Sequence, residues 1–417
     1  MPQIAPALVR YNDDGTPAAL LGRDAAQTPL PLVSRAGISG CVKPWGAAGS
    51  AATAGYTVTT QIPGEAVPYA AQAIYMNWGA STWAVTAAKI APCPTHLNDG
   101  SALTPVTITF TDAGTTTVPV ALGGTGNDII PGMLVSDVIP LSGVVRSDTP
   151  ANAPLVHHRV YSADAQMGIS GPDFASYNAV SGGRQWAGKV TAADQVTAWP
   201  AQAVVEAAAG WVQPAILRLF YSTPSVTVAS CGDSLDRGQG STANAMGWLQ
   251  RACALLTSSS RIVQPLVMGW SGQTHTASAK IAKQVIAKVK PNFLIINAWS
   301  PNDTAATQAI MDRAWAETLD VIEYGRQNGV GVIVRTSGPV NAYSAADDAR
   351  IKAQNARVRS LGAAVAAILD HASILEAPGT PGQILAAYNL DGTHYNDAGY
   401  SALATYDAGV LRSVVGA

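Results

Sequence analysis

A serine and a closely spaced aspartate–histidine pair are the residues of this sequence that could perform nucleophilic chemistry. Ser234 lies in a Gly-Asp-Ser-Leu stretch directly after the apolar run 226–231, which is typical of a buried strand that ends in a loop. Asp391 and His394 are three positions apart, so the carboxylate could hold one ring nitrogen while the other faces the serine. Each group could instead only cap a following helix.

Two further loops contain groups that could stabilise an oxyanion. The loop after the apolar run 262–268 contains Gly272, whose backbone N–H can approach a ligand closely because glycine has no Cβ. The loop after 293–298 contains Asn302, which provides a side-chain amide donor. Either loop alone could be an ordinary turn, since Gly, Asn and Pro are common in turns.

The four stretches, taken in order, resemble the sequence blocks of the SGNH hydrolase superfamily, also called GDSL esterases. This resemblance covers residues 226–417 and implies an ester hydrolase that needs no metal or organic cofactor. It implies the following roles: nucleophile Ser234, base His394 oriented by Asp391, and an oxyanion hole formed by the N–H groups of Ser234 and Gly272 with the amide of Asn302.

The third block departs from the family pattern. The usual Gly-x-Asn-Asp is Ser-Pro-Asn-Asp at 300–303, so we expect a different loop geometry with the amide donor retained. The adjacent His157 and His158 are not expected to bind a metal, because neighbours on a strand point to opposite faces.

Composition excludes several classes of function. Of the 417 residues, 12 % are charged, and the formal net charge is -2. The sequence therefore lacks the excess of positive charge that favours binding to nucleic acid. No run of about 18 apolar residues predicts a membrane span, and no signal peptide is evident. The four cysteines are too few for a disulfide scaffold, and we expect Cys231 and Cys253 to pack as small apolar residues, although a disulfide stays possible.

Pattern changes divide the chain into three segments. Residues 1–65 have little periodicity and predict an extended arm or tether, which could attach to a larger assembly. Residues 66–223 predict short strands in an antiparallel, jelly-roll-like β-sandwich, for example at 105–111, 115–121 and 132–141. Residues 131–137 and 139–141 of this segment resemble the β-rich region that precedes the hydrolase in some extracellular GDSL esterases, over about 90 residues.

Residues 224–417 alternate strands and helices. This alternation predicts an α/β domain with a flavodoxin-like parallel sheet of about five strands and helices on both faces. The predicted helices include 304–327, 345–361 and 397–414, and the fifth strand is predicted at 363–369. Because ligands of open α/β sheets bind at the carboxyl ends of the strands, the four blocks are expected to meet there.

The expected substrate is an O-acetyl group on a carbohydrate. The aromatic residues of the second segment could form a sugar-stacking surface, although packing in the core is the first expectation for them; they are Trp78, Trp83, Tyr161, Trp186 and Trp199. A lipase or general carboxylesterase and a non-catalytic glycan-binding virion or surface protein are the alternatives. The expected location is extracellular or virion-associated.

Overall fold

The structure is a computed structural model. It describes residues 8–11, 17–21, 37–39, 51–52, 56–63, 67–95, 100–142, 155–164, 166–167, 187–191, 193–201, 215–241, 247–303 and 307–416.

The described residues before 222 form strands, which we number in chain order. They are β1 (Leu8–Tyr11), β2 (Pro17–Leu21), β3 (Gly37–Ser39), β4 (Ala51–Ala52), β5 (Tyr56–Pro63), β6 (Pro68–Asn77), β7 (Trp83–Ala84), β8 (Ala87–Cys93), β9 (Val106–Thr107), β10 (Thr117–Val118), β11 (Gly132–Val135), β12 (Ile139–Pro140), β13 (Leu155–Ser162), β14 (Gln166–Met167), β15 (Ala187–Thr191) and β16 (Ala215–Tyr221), with a 3-10 turn at Gly126–Asp128.

Two five-stranded antiparallel sheets dominate this part. One has the order β11-β6-β16-β3, with β12 also paired to β6, and the other has the order β15-β5-β13-β8-β9. Tyr75 and Leu217 of the first sheet share a buried apolar cluster with Ile90 and Val156 of the second. The antiparallel β-rich architecture predicted for the N-terminal part is therefore confirmed.

Strands β6 and β8 were not predicted from the sequence. Both are rich in alanine and lack the alternation of a half-buried strand, since β6 is buried on both faces. Tyr75 of β6 contacts the sandwich core, whereas Ile74 and Met76 point to the opposite side. Strand β9 is shorter than the predicted 105–111, because the Asp137 carboxylate binds the Thr109 hydroxyl and the amides of two following residues.

Part of the predicted N-terminal arm pairs with the sheets. Strand β3 pairs with β16, and β5 pairs with β13 over eight residues. Residues 37–39 and 56–63 thus extend the sheets of the second segment, and the boundaries at 65 and 223 stay predictions.

The later residues form strands β17 (Ser225–Cys231), β18 (Ile262–Val267), β19 (Phe293–Asn297), β20 (Gly331–Arg335) and β21 (Ala367–Leu369). The helices are α1 (Ser234–Arg237), α2 (Trp248–Leu256), α3 (His275–Gln284), α4 (Gln308–Gln327), α5 (Ala345–Ser360), α6 (His371–Leu375) and α7 (Asp397–Val415), with a π-helical turn at Val285–Val289 and a 3-10 turn at Gly362–Ala364.

These strands form one parallel sheet with the order β18-β17-β19-β20-β21, so the predicted flavodoxin-like sheet of five strands is confirmed. Helices α2 and α7 share an apolar cluster with one face of the sheet, and α3 and α4 share another with the opposite face. Strand β21 is shorter than the predicted 363–369, because the chain first makes the 3-10 turn. Among the described helices, none has the length and apolar character needed to cross a membrane.

The β-rich part and the parallel sheet share a core. Ile74 and Met76 of β6 and Ile216 of β16 belong to the same buried cluster as Ile281 of α3 and Leu294 of β19. The first antiparallel sheet is therefore covered on one face by the second sheet and on the other by the α/β part.

Most of the aromatic residues considered for sugar stacking are used in packing instead. Trp78, Trp83 and Trp199 are at most 8 % exposed, so they offer no face to a sugar. Trp186 lies outside the described residues. Cys231 and Cys253 are buried in the two apolar clusters of the α/β part, as expected for small apolar side chains.

Truncation of Ile216 tests the shared core. The change Ile216→Ala leaves a cavity between the two parts, so we expect the free energy of unfolding to fall by about 2–5 kcal/mol in urea denaturation. The control Leu255→Ala alters a side chain that is 57 % exposed, and its effect should stay within about 0.5 kcal/mol. Equal stability of the two variants would contradict the shared core.

Candidate active site

The turn after β17 presents Ser234 as the first residue of the short helix α1. The Asp233 side chain caps this helix by accepting a hydrogen bond from the Leu235 amide at 2.9 Å, and Asp236 accepts one from the Asp233 amide at 3.3 Å. Ser234 is the first helical residue, and the first N–H groups of a helix have no partner within the helix itself. The turn requires glycine at 232, since a Cβ there would lie 1.8 Å from an oxygen of Asp236.

His394 and Asp391 lie on the turn before α7 and reach the serine from the other end of the chain. His394 Nε2 lies 3.0 Å from Ser234 Oγ, and His394 Nδ1 lies 2.8 Å from Asp391 Oδ2. A proton on Nδ1, donated to the carboxylate, leaves Nε2 as an acceptor for the serine hydroxyl. The structure therefore brings these three residues together in one hydrogen-bonded chain.

The Asp391 carboxylate is organised by its own turn. Its Oδ1 accepts hydrogen bonds from the backbone amides of Thr393 at 3.0 Å and His394 at 2.8 Å. Partial burial raises the pKa of Asp391, but these bonds and the imidazole outweigh that effect and hold the pKa below its ordinary value. Asp391 is thus suited to remain an anion beside an imidazolium.

Gly272 lies in the loop between β18 and α3 with a φ of +78°, in the left-handed region that favours glycine. A Cβ at this position would lie 2.3 Å from Nδ2 of Asn127, which belongs to the β-rich part. This loop is tied to α1 by Ser271, whose hydroxyl binds Arg237 Nη1 and Gln239 Oε1, each at 2.6 Å.

Asn302 is held by the serine that departs from the family pattern. Its side-chain Nδ2 lies 3.1 Å from the Gln273 carbonyl and 3.2 Å from Ser300 Oγ, and its backbone amide also points to Ser300 Oγ at 3.3 Å. The Ser300 hydroxyl in turn lies 2.7 Å from Asp233 Oδ2. Ser300 therefore connects the Asn302 loop to the residue that caps the Ser234 helix, which a glycine could not do.

Buried charged side chains stabilise the turn that contains Ser234. Arg335, the last residue of β20, makes an ion pair with Asp236 at 2.5 Å, and both side chains are at most 3 % exposed. Burial lowers the pKa of Arg335, but the charges of Asp236 and Asp233 outweigh this and raise it. Burial raises the pKa of Asp233, and the charge of Arg335 opposes that shift.

The aspartate after Asn302 braces its loop. Asp303 accepts hydrogen bonds from the amides of His275 and Ser300 and pairs with Arg313, while burial raises its pKa to about 6. In the part of the chain that the structure describes, no cluster of three or more His, Cys, Asp or Glu side chains is arranged to hold a metal ion. His157 and His158 are both buried, with Arg159 and Tyr75 respectively as hydrogen-bond partners.

The fold and the site together define an α/β protein with a serine–histidine–aspartate chain at the carboxyl edge of a doubly wound parallel sheet. Such a chain can activate a serine oxygen as a nucleophile.

No protein-family model and no curated protein sequence matches this chain. Among solved structures, it is similar to a GDSL-like lipase from Bacteroides thetaiotaomicron at 17 % identity and a TM-score of 0.35, covering 46 % of this chain and 87 % of the other. A family 3 carbohydrate esterase from Clostridium thermocellum matches at 16 % identity and a TM-score of 0.35, covering 46 % and 98 %. An acetyl xylan esterase matches at 15 % identity and a TM-score of 0.36, covering 44 % and 98 %.

These similar structures include GDSL proteins, as expected from the resemblance of the four blocks to the SGNH hydrolase superfamily. They match less than half of this chain at low identity. The chemistry of the chain therefore has to be inferred from the geometry of its own site.

Several residues of the site were not predicted from the sequence as members of it. Ser300 was visible only as a departure from a pattern, and Arg335 only as the charged end of an apolar strand. An arginine that ends a buried strand of a parallel sheet is a usable signal, because such a charge needs a buried partner. Asn127 gave no signal, since it lies in a glycine-rich loop of another segment.

Removal of the buried arginine tests the support of the serine turn. Arg335→Met leaves Asp236 without its opposite charge, so we expect a loss of about 3–5 kcal/mol in the free energy of unfolding at pH 7. The control Arg359→Met breaks a partly exposed pair with Asp370 and should cost about 0–1 kcal/mol.

The loss in Arg335→Met should depend on pH. The pKa of Asp233 is already raised in the folded protein, and loss of the arginine raises it further. The loss of unfolding free energy is therefore complete only at a pH above the pKa that Asp233 has in the folded variant. It should shrink as the pH falls toward the unfolded value of about 3.9. A penalty that is equal at pH 4.5 and pH 7 would contradict this account.

Proposed function

We propose that this protein is a serine esterase that hydrolyses carboxylic esters through an acyl-enzyme intermediate. The observation that carries the proposal is the continuous chain from Ser234 Oγ to His394 Nε2 at 3.0 Å and from His394 Nδ1 to Asp391 Oδ2 at 2.8 Å. A binding protein has no need for a hydroxyl, an imidazole and a carboxylate in this order.

The first half of the reaction forms the acyl enzyme. His394 Nε2 takes the hydroxyl proton as Ser234 Oγ attacks the carbonyl carbon of the ester, and Asp391 stabilises the imidazolium that results. The imidazolium then donates this proton to the leaving alcohol as the ester C–O bond breaks. In the second half, water loses a proton to His394 as it attacks the acyl carbon. The imidazolium then returns this proton to Ser234 Oγ as the bond between that oxygen and the acyl carbon breaks, which releases the carboxylic acid.

The negative charge of each tetrahedral intermediate needs fixed donors. We assign this role to the N–H groups of Ser234 and Gly272 and to the side-chain amide of Asn302. Supporting this, Ser234 opens a helix, Gly272 has the positive φ that glycine adopts without strain, and Asn302 is held by Ser300, which also binds Asp233. Donors that are held before the reaction cost little reorganisation during it. The Asn302 amide donates to the Gln273 carbonyl and the Ser300 hydroxyl, so it must give up one of these bonds to reach the oxyanion.

For the substrate we propose O-acetyl groups on a carbohydrate. Asn302 lines a cavity together with polar residues, among them Asp303, Arg313 and Thr274, which can form hydrogen bonds with a hydroxylated alcohol. A lipase or a general carboxylesterase is the alternative that the substrate comparison below distinguishes.

Replacement of the nucleophile tests the function. Ser234→Ala should lower kcat on p-nitrophenyl acetate and on acetylated xylan by at least about 10³-fold, because the attacking oxygen is lost. It should also abolish covalent labelling by a fluorophosphonate, seen as a mass increase in the intact wild-type protein. The control Ser373→Ala, at an exposed serine, should retain both properties.

The choice between substrates is tested with the same wild-type and variant proteins. Faster acetate release from acetylated xylan than hydrolysis of p-nitrophenyl palmitate would support the carbohydrate substrate, and the reverse order would support a lipase. A wild type that binds glycans but hydrolyses no ester would contradict the enzymatic proposal.

Removal of the amide donor tests the oxyanion assignment. Asn302→Ala should lower kcat on p-nitrophenyl acetate by about 100-fold to 1,000-fold with little change in KM, because the lost donor acts on the intermediate more than on the substrate. The control Asn328→Ala removes an exposed amide at the end of α4 and should leave kcat unchanged. A full kcat in Asn302→Ala would remove this residue from the oxyanion hole.

A further inference from the structure

A cavity of about 400 Å³ lies between the β-rich part and the α/β part. One wall is the loop that follows β10, represented by Thr125 and Asp128. The opposite wall comprises the beginning of α3, the Asn302 loop and the first turns of α4. The volume lies within the range of about 300–1,000 Å³ that is typical of small-molecule sites. Since Asn302 lines it, the cavity adjoins the proposed oxyanion hole.

Eight of the twelve residues that line this cavity have polar or charged side chains, and its exposed surface is a mixture of polar and apolar atoms. Hydrogen-bond donors and acceptors are provided by both walls, including Thr125, Asp128, Lys280 and Arg313. Opposite charges balance one another, because Arg313 pairs with Asp303, and Asp128 faces the cavity together with Lys280. A sugar unit, whose hydroxyl groups donate and accept hydrogen bonds and whose ring carbons are apolar, fits such a mixed lining better than a wholly apolar acyl chain or a simple anion.

The wall from the β-rich part is held firmly against the α/β part. Asn127 Oδ1 accepts a hydrogen bond from Trp270 Nε1 at 3.1 Å, and Asp128 Oδ1 accepts one from the Thr274 amide at 2.8 Å. The Trp270 ring also stacks on Trp78 at the end of the β6 strand, with the ring centres 6.2 Å apart. Trp270 and Thr274 lie on either side of Gly272. The loop of the β-rich part that contains Asn127 and Asp128 is therefore fixed to the segment that contains Gly272, a proposed oxyanion donor.

We propose that this cavity is the subsite for a sugar unit of the alcohol part of the substrate, and that the loop 122–130 of the β-rich part is one of its walls. The inference rests on the proposed esterase function and adds a role for the β-rich part. That part would then determine specificity by completing the substrate site rather than by binding carbohydrate at a separate surface.

A bulky residue at Thr125 tests the subsite. Thr125 has an extended backbone and makes no side-chain capping bond, so Thr125→Trp should fold and fill the cavity. The matched control is Thr116→Trp, at an exposed threonine of the same part outside the cavity. The thermal midpoints of both variants are compared first, and kcat/KM is then measured on fully acetylated xylobiose, p-nitrophenyl acetate and p-nitrophenyl butyrate.

The expected result is a change in the ratio between substrates. In Thr125→Trp, kcat/KM on acetylated xylobiose should fall about tenfold or more relative to p-nitrophenyl acetate, since contacts with the sugar are lost. Thr116→Trp should keep the wild-type ratio.

Three results would overturn the inference while the esterase function stands. They are an unchanged ratio in Thr125→Trp, a loss confined to the butyrate relative to the acetate, which would assign the cavity to the acyl group, and a wild type that cleaves the nitrophenyl esters but not acetylated xylobiose. A wild type that is inactive on all three esters would instead overturn the proposed function itself, and the inference with it.

Discussion

The hydrogen bond between the His394 imidazole and the Ser234 hydroxyl joins two turns that are 160 residues apart in the chain. Neither turn can adjust much to the other. The serine turn is fixed by the Asp233 cap and by the Asp236 carboxylate, which packs closely against Gly232. The histidine turn is fixed by the bonds to Asp391. The distance between them is therefore set by the parallel sheet and by α7, which begins directly after the histidine turn.

The support of the serine turn comes from buried charge. Asp233, Asp236 and Arg335 are all nearly inaccessible to solvent, an arrangement that costs desolvation free energy and is tolerated only when the groups are paired. The Ser300 hydroxyl donates to Asp233 and accepts from the Asn302 side chain, which extends this network to Asn302. One set of polar contacts thus holds the residue assigned as nucleophile and a residue assigned as oxyanion donor in a fixed relation, which is the requirement for stabilising a charge that develops during a reaction.

The β-rich part is built into the same structure. Its first sheet has two buried faces, one in the sandwich and one against α3 and β19, and its loop 122–130 is bonded to the segment around Gly272. This arrangement explains why the aromatic residues Trp78 and Trp83 are buried instead of exposed to sugars. Any effect of this part on the substrate is then expected through the loop and not through an aromatic surface.

The features that depend on neighbouring residues could be predicted from the amino-acid pattern alone. The alternation of apolar strands and helices predicted the parallel sheet, and the Gly-Asp-Ser and Asp-x-x-His stretches predicted which groups could meet at its edge, because parallel strands all end there. The features that depend on contacts between distant segments could be read only from the folded chain. The alanine-rich β6 forms a strand because both of its faces are covered. Arg335 can be buried because it forms an ion pair with Asp236. Asn127 lies next to Gly272 because the two parts share a core. Local patterns report burial and turn geometry, but the partner of a buried charge or of a loop is set by packing.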